Sequence, residues 1–99
     1  MPDQDNDAAM LIAMADTITD LQVRYRAASL EDQAILITPL KEAIKDFGDY
    51  QARLLKAGTI TTDEELAEMK AIQDSISANA NRQDLLKAIA RIVAFIAAA

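Results

Sequence analysis

The sequence predicts an all-α protein, a small antiparallel bundle of three to four helices that is completed or extended by oligomerisation. Three observations predict this class. Apolar residues make up 52% of the 99-residue chain, yet aromatic residues, glycine and proline are scarce, a composition that favours helices over strands. Apolar positions recur at alternating spacings of three and four, the helical period. Residues that cap helices stand before several of these stretches.

The length predicts one domain, residues 1–99, with helices at about 7–27, 30–57, 63–78 and 82–98. A domain of about 100 residues buries a limited share of its surface, so its core is thin and its stability marginal. Association with a second copy is a common remedy for a small core. We therefore expect a homodimer.

The first predicted helix carries two apolar patches. Its main seam has the 3-4 spacing of a coiled coil and consists of Leu11, Met14, Ile18, Leu21 and Tyr25. Ile12 and Val23 fall outside this seam, together on one flank of the helix. A four-helix core of this size has little room for them, so we regard both as candidate interface residues.

The second predicted helix begins after Ser29, which forms a capping-box variant with Asp32. Pro39 either bends this helix or begins a new one that Thr38 caps. We favour one axis with a bend, because the apolar phase continues through the proline. Gly58 is well placed to end the helix in the left-handed conformation.

Thr62 caps the third predicted helix, and the acidic residues at 63–65 suit the positive end of its dipole. Two interpretations of the following segment stay open. An interruption at residues 77–81 allows Asn81 to cap a fourth helix together with Asp84. Without it, residues 63–98 form one rod of roughly 50 Å, which would itself imply an oligomer. We favour the interruption.

Residues 85–99 contain two charges, Lys87 and Arg91, and are otherwise apolar. Their large apolar side chains cover about half of the helix circumference, which is more than one neighbouring helix buries. This face suits a helix between two neighbours or one shared with a second chain. With the flank of the first helix, it gives the candidate interface: Ile12, Val23, Leu86, Ile89, Ile92, Val93, Phe95 and Ile96.

The net charge is −6, with no basic cluster. Sequence-independent binding of nucleic acids requires clustered lysine and arginine, so we expect no nucleic-acid partner. The amino terminus is acidic, unlike a secretory signal. The longest stretches without a polar side chain are eight residues, well below the ~20 that a bilayer-spanning helix needs. We therefore expect a cytoplasmic protein.

The chain contains few of the residue types that most enzymes use for catalysis. The chain has no histidine and no cysteine, which removes the commonest general base, the imidazole and thiolate metal ligands, and disulfides. Carboxylate pairs four residues apart, such as Glu42 with Asp46, lie on polar helix faces and are expected to be solvated. We expect no catalytic residue, no metal site and no cofactor.

The segment from Leu54 through Gly58 and Ile60 to Leu66 resembles the short carboxy-terminal helical hairpin (SHOCT) family, in which a helix, a Gly-x-Ile-Thr turn and an acidic turn precede a second helix. The resemblance covers about twenty residues, with one extra threonine before the cap. Any corner between two helices selects similar residues, and this generic interpretation stays open. The resemblance implies an interaction or oligomerisation element.

These observations predict a non-enzymatic protein–protein interaction module, a homodimeric regulator, inhibitor or chaperone-type protein that acts through an apolar helical surface. Its partner is a second copy or an unidentified protein. The alternative is peripheral membrane association through the amphipathic helix at residues 85–99. Two cations and an acidic chain suit anionic lipids poorly, so we favour protein partners.

Overall fold

The computed structural model describes residues 2–57, 61–76 and 79–98, and it describes side chains in the first range for residues 6–56. Of these residues, 90% are helical and none is in a strand. Four helices are present in the described ranges: α1 (Pro2–Ala27), α2 (Leu30–Ala57), α3 (Asp63–Asp74) and α4 (Arg82–Ala98). The all-α class is therefore confirmed.

Three predicted helix starts are confirmed by hydrogen bonds. The Ser29 hydroxyl accepts from the backbone N–H of Asp32 at 3.2 Å. Thr62 and Glu65 form a reciprocal capping box at the start of α3. At the start of α4, the Asn81 side chain accepts from the Asp84 N–H at 2.9 Å, and the Asp84 carboxylate accepts from the Asn81 N–H at 3.1 Å. Each cap satisfies backbone donors that a helix start leaves free.

Two helix ends differ from the sequence expectation. α1 already begins at Pro2, a residue type that is favoured in the first helical position. α3 ends at Asp74 rather than near 78, because the Ser75 hydroxyl donates to the carbonyl of Ile72 at 2.6 Å and its N–H closes the last turn. The long rod over 63–98 is thereby excluded. The expected helix end at Gly58 lies outside the described residues, as does most of the turn in the SHOCT resemblance.

α2 runs unbroken through Pro39, as the sequence interpretation favoured. Apolar residues of α2 keep their helical spacing on both sides of Pro39. Burial of this one face therefore favours a helix that continues through the proline. Gly48 lies in the same helix, is exposed, and has no atom within 4 Å of the place where a Cβ would stand. The glycine therefore serves no close helix approach in this structure.

All four helices contribute to one core. The main seam of α1 lies within it or packs against it, and buried residues of α2, α3 and α4 complete it. The largest side chains that are almost wholly buried are Tyr50, Met10, Met14, Leu21, Leu36, Met69, Ile72 and Ile92. The principal extents of the structure are 45 × 22 × 19 Å, so the core is a narrow column.

α2 and α4 run side by side in the same direction. Near their amino ends, Arg82 of α4 forms an ion pair with Asp32 of α2 at 3.3 Å. Near their carboxyl ends, Arg53 of α2 donates to the carbonyl of Ile96 in α4, also at 3.3 Å. Successive helices of an antiparallel bundle alternate in direction, so its second and fourth helices are parallel to each other, and the expected antiparallel arrangement of the bundle stays a prediction. A 3-4 seam indicates which face of a helix packs, but it does not select the neighbour or its direction.

The amino ends of α1 and α3 also meet. The Asn6 amide donates to the Asp63 carboxylate at 2.7 Å, and the Asp7 carboxylate accepts from the backbone N–H of Thr61 at 2.8 Å. α1 contacts α2 and α3, and α4 contacts α2 and α3. Two helices of its own chain thus cover part of the wide apolar face of α4, while Leu86 and Val93 on that face stay half-buried.

Candidate protein-interaction groove

The structure divides the candidate interface residues into three groups. Ile89, Ile92, Phe95 and Ile96 of α4 are buried in the core. Leu86 and Val93 are half-buried and pack against the edge of that core. Ile12 and Val23 of α1 are exposed. Within α4, the sequence could not distinguish the buried residues from the half-buried ones, because residues 85–99 are apolar nearly throughout.

An open groove lies between α2 and α4, where the half-buried residues of α4 are found. Its volume is about 430 Å³. We name it the α2/α4 groove, and its lining is Pro39, Glu42, Leu86, Ile89, Ala90, Val93, Ala94 and Ala97. Glu42 is the one charged residue in this lining.

The spacing of residues on α4 explains why the groove forms. Leu86, Ala90, Val93 and Ala97 follow one another at intervals of four, three and four, and therefore share one face. The exposed residues that α4 contributes to the lining are Ala90, Ala94 and Ala97. Their short side chains leave open space beside the helix. Ile89 forms the floor, since it belongs to both the lining and the core.

An acidic strip continues from the groove along α2. A second depression of about 340 Å³ is lined by Asp46, Asp49, Arg53, Ile96 and Ala97. Arg53 also contacts its own chain, since its guanidinium lies 5.3 Å from the ring centroid of Tyr50 and donates to the Ile96 carbonyl. The three carboxylates at 42, 46 and 49 therefore lie along one margin of the apolar surface.

A third depression of about 360 Å³ lies on the other side of α4. Arg91 and Phe95 of α4 and the carboxylates Glu65 and Glu68 of α3 line it, together with Ala94 and Ala98. Its charges are mixed, so it offers less continuous apolar surface than the α2/α4 groove.

Tyr50 lies where the polar residues at the amino ends of α1 and α3 approach the carboxyl end of α2. The side chain is buried and packs edge-on against Phe95, with ring centroids 6.0 Å apart. Burial raises the pKa of Tyr50 above its ordinary value, and the nearby negative charges of Glu65 and Asp7 raise it further. The phenol is thereby held in its neutral form and supports the packing of α2 on α4.

Sequence reasoning identified Leu86, Ile89 and Val93 as interface candidates, but it assigned no interface role to Pro39, Glu42 or the alanines of the lining. Alanine is often fully buried, yet Ala90, Ala94 and Ala97 are exposed here, so the residue type does not indicate an open surface. The 86-90-93-97 spacing is the one sequence feature that could have indicated the groove.

Among the described residues, no group of three or more cysteine, histidine or carboxylate side chains is placed to hold a metal ion. In the same part of the chain, no helix combines the length and apolar character needed to cross a bilayer. A scan against protein-family models finds no matching family, so the SHOCT resemblance receives no support from it. Searches of curated proteins and of solved structures also find no match.

Proposed function

We propose that this protein is a non-enzymatic interaction module that binds an amphipathic helix of a partner protein in the α2/α4 groove. The observation that carries the proposal is the groove itself, an apolar channel between two helices with carboxylates along one margin. Regulators, inhibitors and chaperone-type proteins commonly act through such a surface. We expect the module to act in the cytoplasm.

The shape of the groove favours a helical occupant. Its α4 wall extends from Leu86 to Ala97, a length of about 17 Å at the helical rise, or three turns. An amphipathic helix recognises such a channel through aliphatic residues at 3-4 spacing. The floor at Ile89 and the half-buried Leu86 and Val93 supply apolar surface for these residues.

The charges favour a cationic occupant. Glu42 lies in the lining, Asp46 and Asp49 continue the margin, and the whole chain carries a net charge of −6. Complementary charges increase the association rate and select among partners of similar apolar character. We therefore propose that the partner helix carries lysine or arginine on the side that faces α2.

The alternative, membrane association through α4, has less support. Four of the apolar side chains that would enter the lipid, Ile89, Ile92, Phe95 and Ile96, are buried between helices of this chain. Lipid contact through that face would require α4 to leave the core, which would expose the surfaces of α2 and α3 that it covers.

The proposal is tested with a synthetic peptide of about sixteen residues, which forms about four helical turns, with leucine at 3-4 spacing and lysine elsewhere. Its binding to the full chain is measured by fluorescence anisotropy. Ala90→Gln extends a polar side chain into the groove, and we expect it to weaken binding about tenfold because it displaces an apolar anchor.

Ala71→Gln is the matched control, because Ala71 is exposed on α3 and lies outside all three depressions. We expect this variant to bind like the wild type, with circular dichroism confirming that both variants fold. Equal affinity of the two variants would contradict the proposal, as would an unmeasurable affinity of the wild type.

A further inference from the structure

α1 has a second apolar seam on the side that faces away from the core. Ile12 is 64% exposed and Val23 is 47% exposed, although both are large aliphatic residues. We name this surface the outer seam of α1, and it consists of Ala8, Ile12, Ala15, Thr19 and Val23, all of them exposed. Their spacings of four, three, four and four residues place them on one face of the helix.

The outer seam alternates large residues with small ones. Ile12 and Val23 project from it. The small side chains of Ala15 and Thr19 leave depressions between these two residues, and Ala8 leaves another before Ile12. Small residues allow the axes of two helices to approach closely, and projecting aliphatic residues then fill these depressions. Two charged residues, Asp16 and Asp20, lie between Ile12 and Val23 in sequence. Around the helix axis, Asp16 alone lies within about 60° of the centre of the outer seam.

We infer that the outer seam binds the outer seam of a second copy of this chain, with the two α1 helices antiparallel. In the register that pairs each large residue with a small one, the two-fold axis passes between Ala15 and Asp16. The two Asp16 side chains then lie beside each other at the edge of the interface, and their like charges weaken the dimer. Ile12 of one copy then faces Thr19 of the other, and Val23 faces Ala8. Each large residue meets a small one, and the same patch is used by both copies, as a two-fold dimer requires.

The charges of α1 favour the antiparallel direction. In the sequence, the amino end of the helix carries aspartates at 3 and 5 and no base, while its last turn carries Arg24 and Arg26. Asp7 is left out of this comparison, because it is buried against Thr61 of its own chain. Antiparallel pairing brings the acidic end of each copy to the basic end of the other. Parallel pairing would place like charges together, which is unfavourable.

The size of the seam indicates a weak dimer. From Ala8 to Val23 the helix extends about 22 Å, and a single helix pair of this length buries less than the roughly 1,200 Å² of a stable interface. We therefore expect dissociation at micromolar concentrations. The α2/α4 groove is formed by other helices, so this inference does not rest on the proposed function, and the dimer presents two grooves.

Disulfide trapping tests the register. The chain contains no cysteine, so an introduced cysteine is its sole thiol, and a disulfide requires Cα atoms within ~7 Å. In a glutathione redox buffer, Ala15→Cys should form a covalent dimer. Ala8→Cys should not pair with itself, because the two copies of residue 8 lie about 22 Å apart along the helix. It should pair with Val23→Cys when the two variants are mixed.

Ala71→Cys is the control for random collision, because Ala71 is exposed on α3. Self-pairing of Ala8→Cys would overturn the antiparallel register. Trapping of Ala15→Cys at no more than the rate of Ala71→Cys would overturn the inference as a whole.

Sedimentation equilibrium tests the dimer without covalent trapping. We expect Ile12→Glu to raise the dissociation constant of the dimer about tenfold or more, because it buries a charge at the interface. Leu55→Glu makes the same change at another exposed aliphatic residue, and we expect less than about a twofold effect there. A wild type that stays at 10.8 kDa at every concentration, or equal effects of the two variants, would overturn the inference. Peptide binding in the groove should be unchanged by Ile12→Glu.

Discussion

The buried carboxylate of Asp7 accepts a hydrogen bond from the backbone N–H of Thr61 at 2.8 Å, although 54 residues separate the two in sequence. Beside it, the Asn6 amide donates to the Thr61 carbonyl at 3.3 Å and to the Asp63 carboxylate at 2.7 Å. These bonds hold the start of α3 against the start of α1. They precede the Thr62 cap directly, so they fix the position of α3 in the bundle.

Removal of the Asp7 carboxylate should therefore destabilise the fold. Asp7→Ala leaves the buried N–H of Thr61 without this acceptor, and we expect the free energy of unfolding to fall by about 1–3 kcal/mol. Urea denaturation followed by circular dichroism measures the loss. Glu68→Ala, at an exposed position of α3, should change stability by less than about 0.5 kcal/mol. Equal effects of the two substitutions would contradict the role of Asp7.

The buried phenol of Tyr50 should ionise above its ordinary pKa of 10.0, chiefly because burial disfavours the phenolate. The chain has two tyrosines and no tryptophan, so in the Tyr25→Phe variant the absorbance of phenolate reports Tyr50 alone. We expect a midpoint above 10.0 for the native variant and a lower midpoint in concentrated urea.

The direction of this shift also predicts how stability depends on pH. Folding favours protonated Tyr50, so its contribution to stability is fully present below the pKa of the unfolded chain and is lost as pH rises through the native pKa. Tyr25→Phe should lose stability in this alkaline range more steeply than the double variant that also carries Tyr50→Phe. Equal slopes for the two variants would contradict the assignment.

Gly48 should be replaceable with a gain in stability. The residue is exposed within α2, and an added Cβ meets no atom within 4 Å. Gly48→Ala reduces the conformational freedom of the unfolded chain, so we expect a gain of about 0.5–1 kcal/mol in urea denaturation. The reverse change at an exposed position of the same helix, Ala52→Gly, should cost a similar amount. A loss of stability in Gly48→Ala would show that the space beside it is occupied.

Charge recognition in the groove is tested at Glu42. Glu42→Gln keeps the size of the side chain and removes its charge, and we expect weaker binding of the leucine–lysine peptide by about threefold to tenfold. A peptide in which serine replaces lysine should be affected little. Glu31→Gln, at an exposed acid of α2 outside the depressions, controls for net charge. Equal weakening by the two substitutions would show that overall charge, not the groove, attracts the peptide.

Local features of this fold were predictable from the sequence, and long-range ones were not. The caps at Ser29, Thr62 and Asn81 follow from side chains that reach backbone groups three residues away, so a short stretch of sequence contains the whole interaction. The neighbours of each helix depend on contacts between distant segments. The packing of α2 against α4, with Arg82 beside Asp32 and Arg53 beside Ile96, is of this second kind.

The candidate site shows the same division. The apolar spacing of α4 could indicate a buried face, and Ile89 and Ile92 are indeed buried. It could not show which part of that face other helices leave open, because this depends on where α2 and α3 pack. The exposure of Ile12 and Val23 was easier to anticipate, since they lie away from a seam that was already complete.

We propose that the α2/α4 groove binds a cationic amphipathic helix. Backbone amide resonances of the ¹⁵N-labelled full chain, followed during titration with the leucine–lysine peptide, test it most directly. We expect the saturable shifts to concentrate at Leu86, Ala90, Val93 and Ala97, with Glu42 and its neighbours on α2. Shifts that concentrate on the outer seam of α1, or that spread evenly over every acidic helix face, would contradict it.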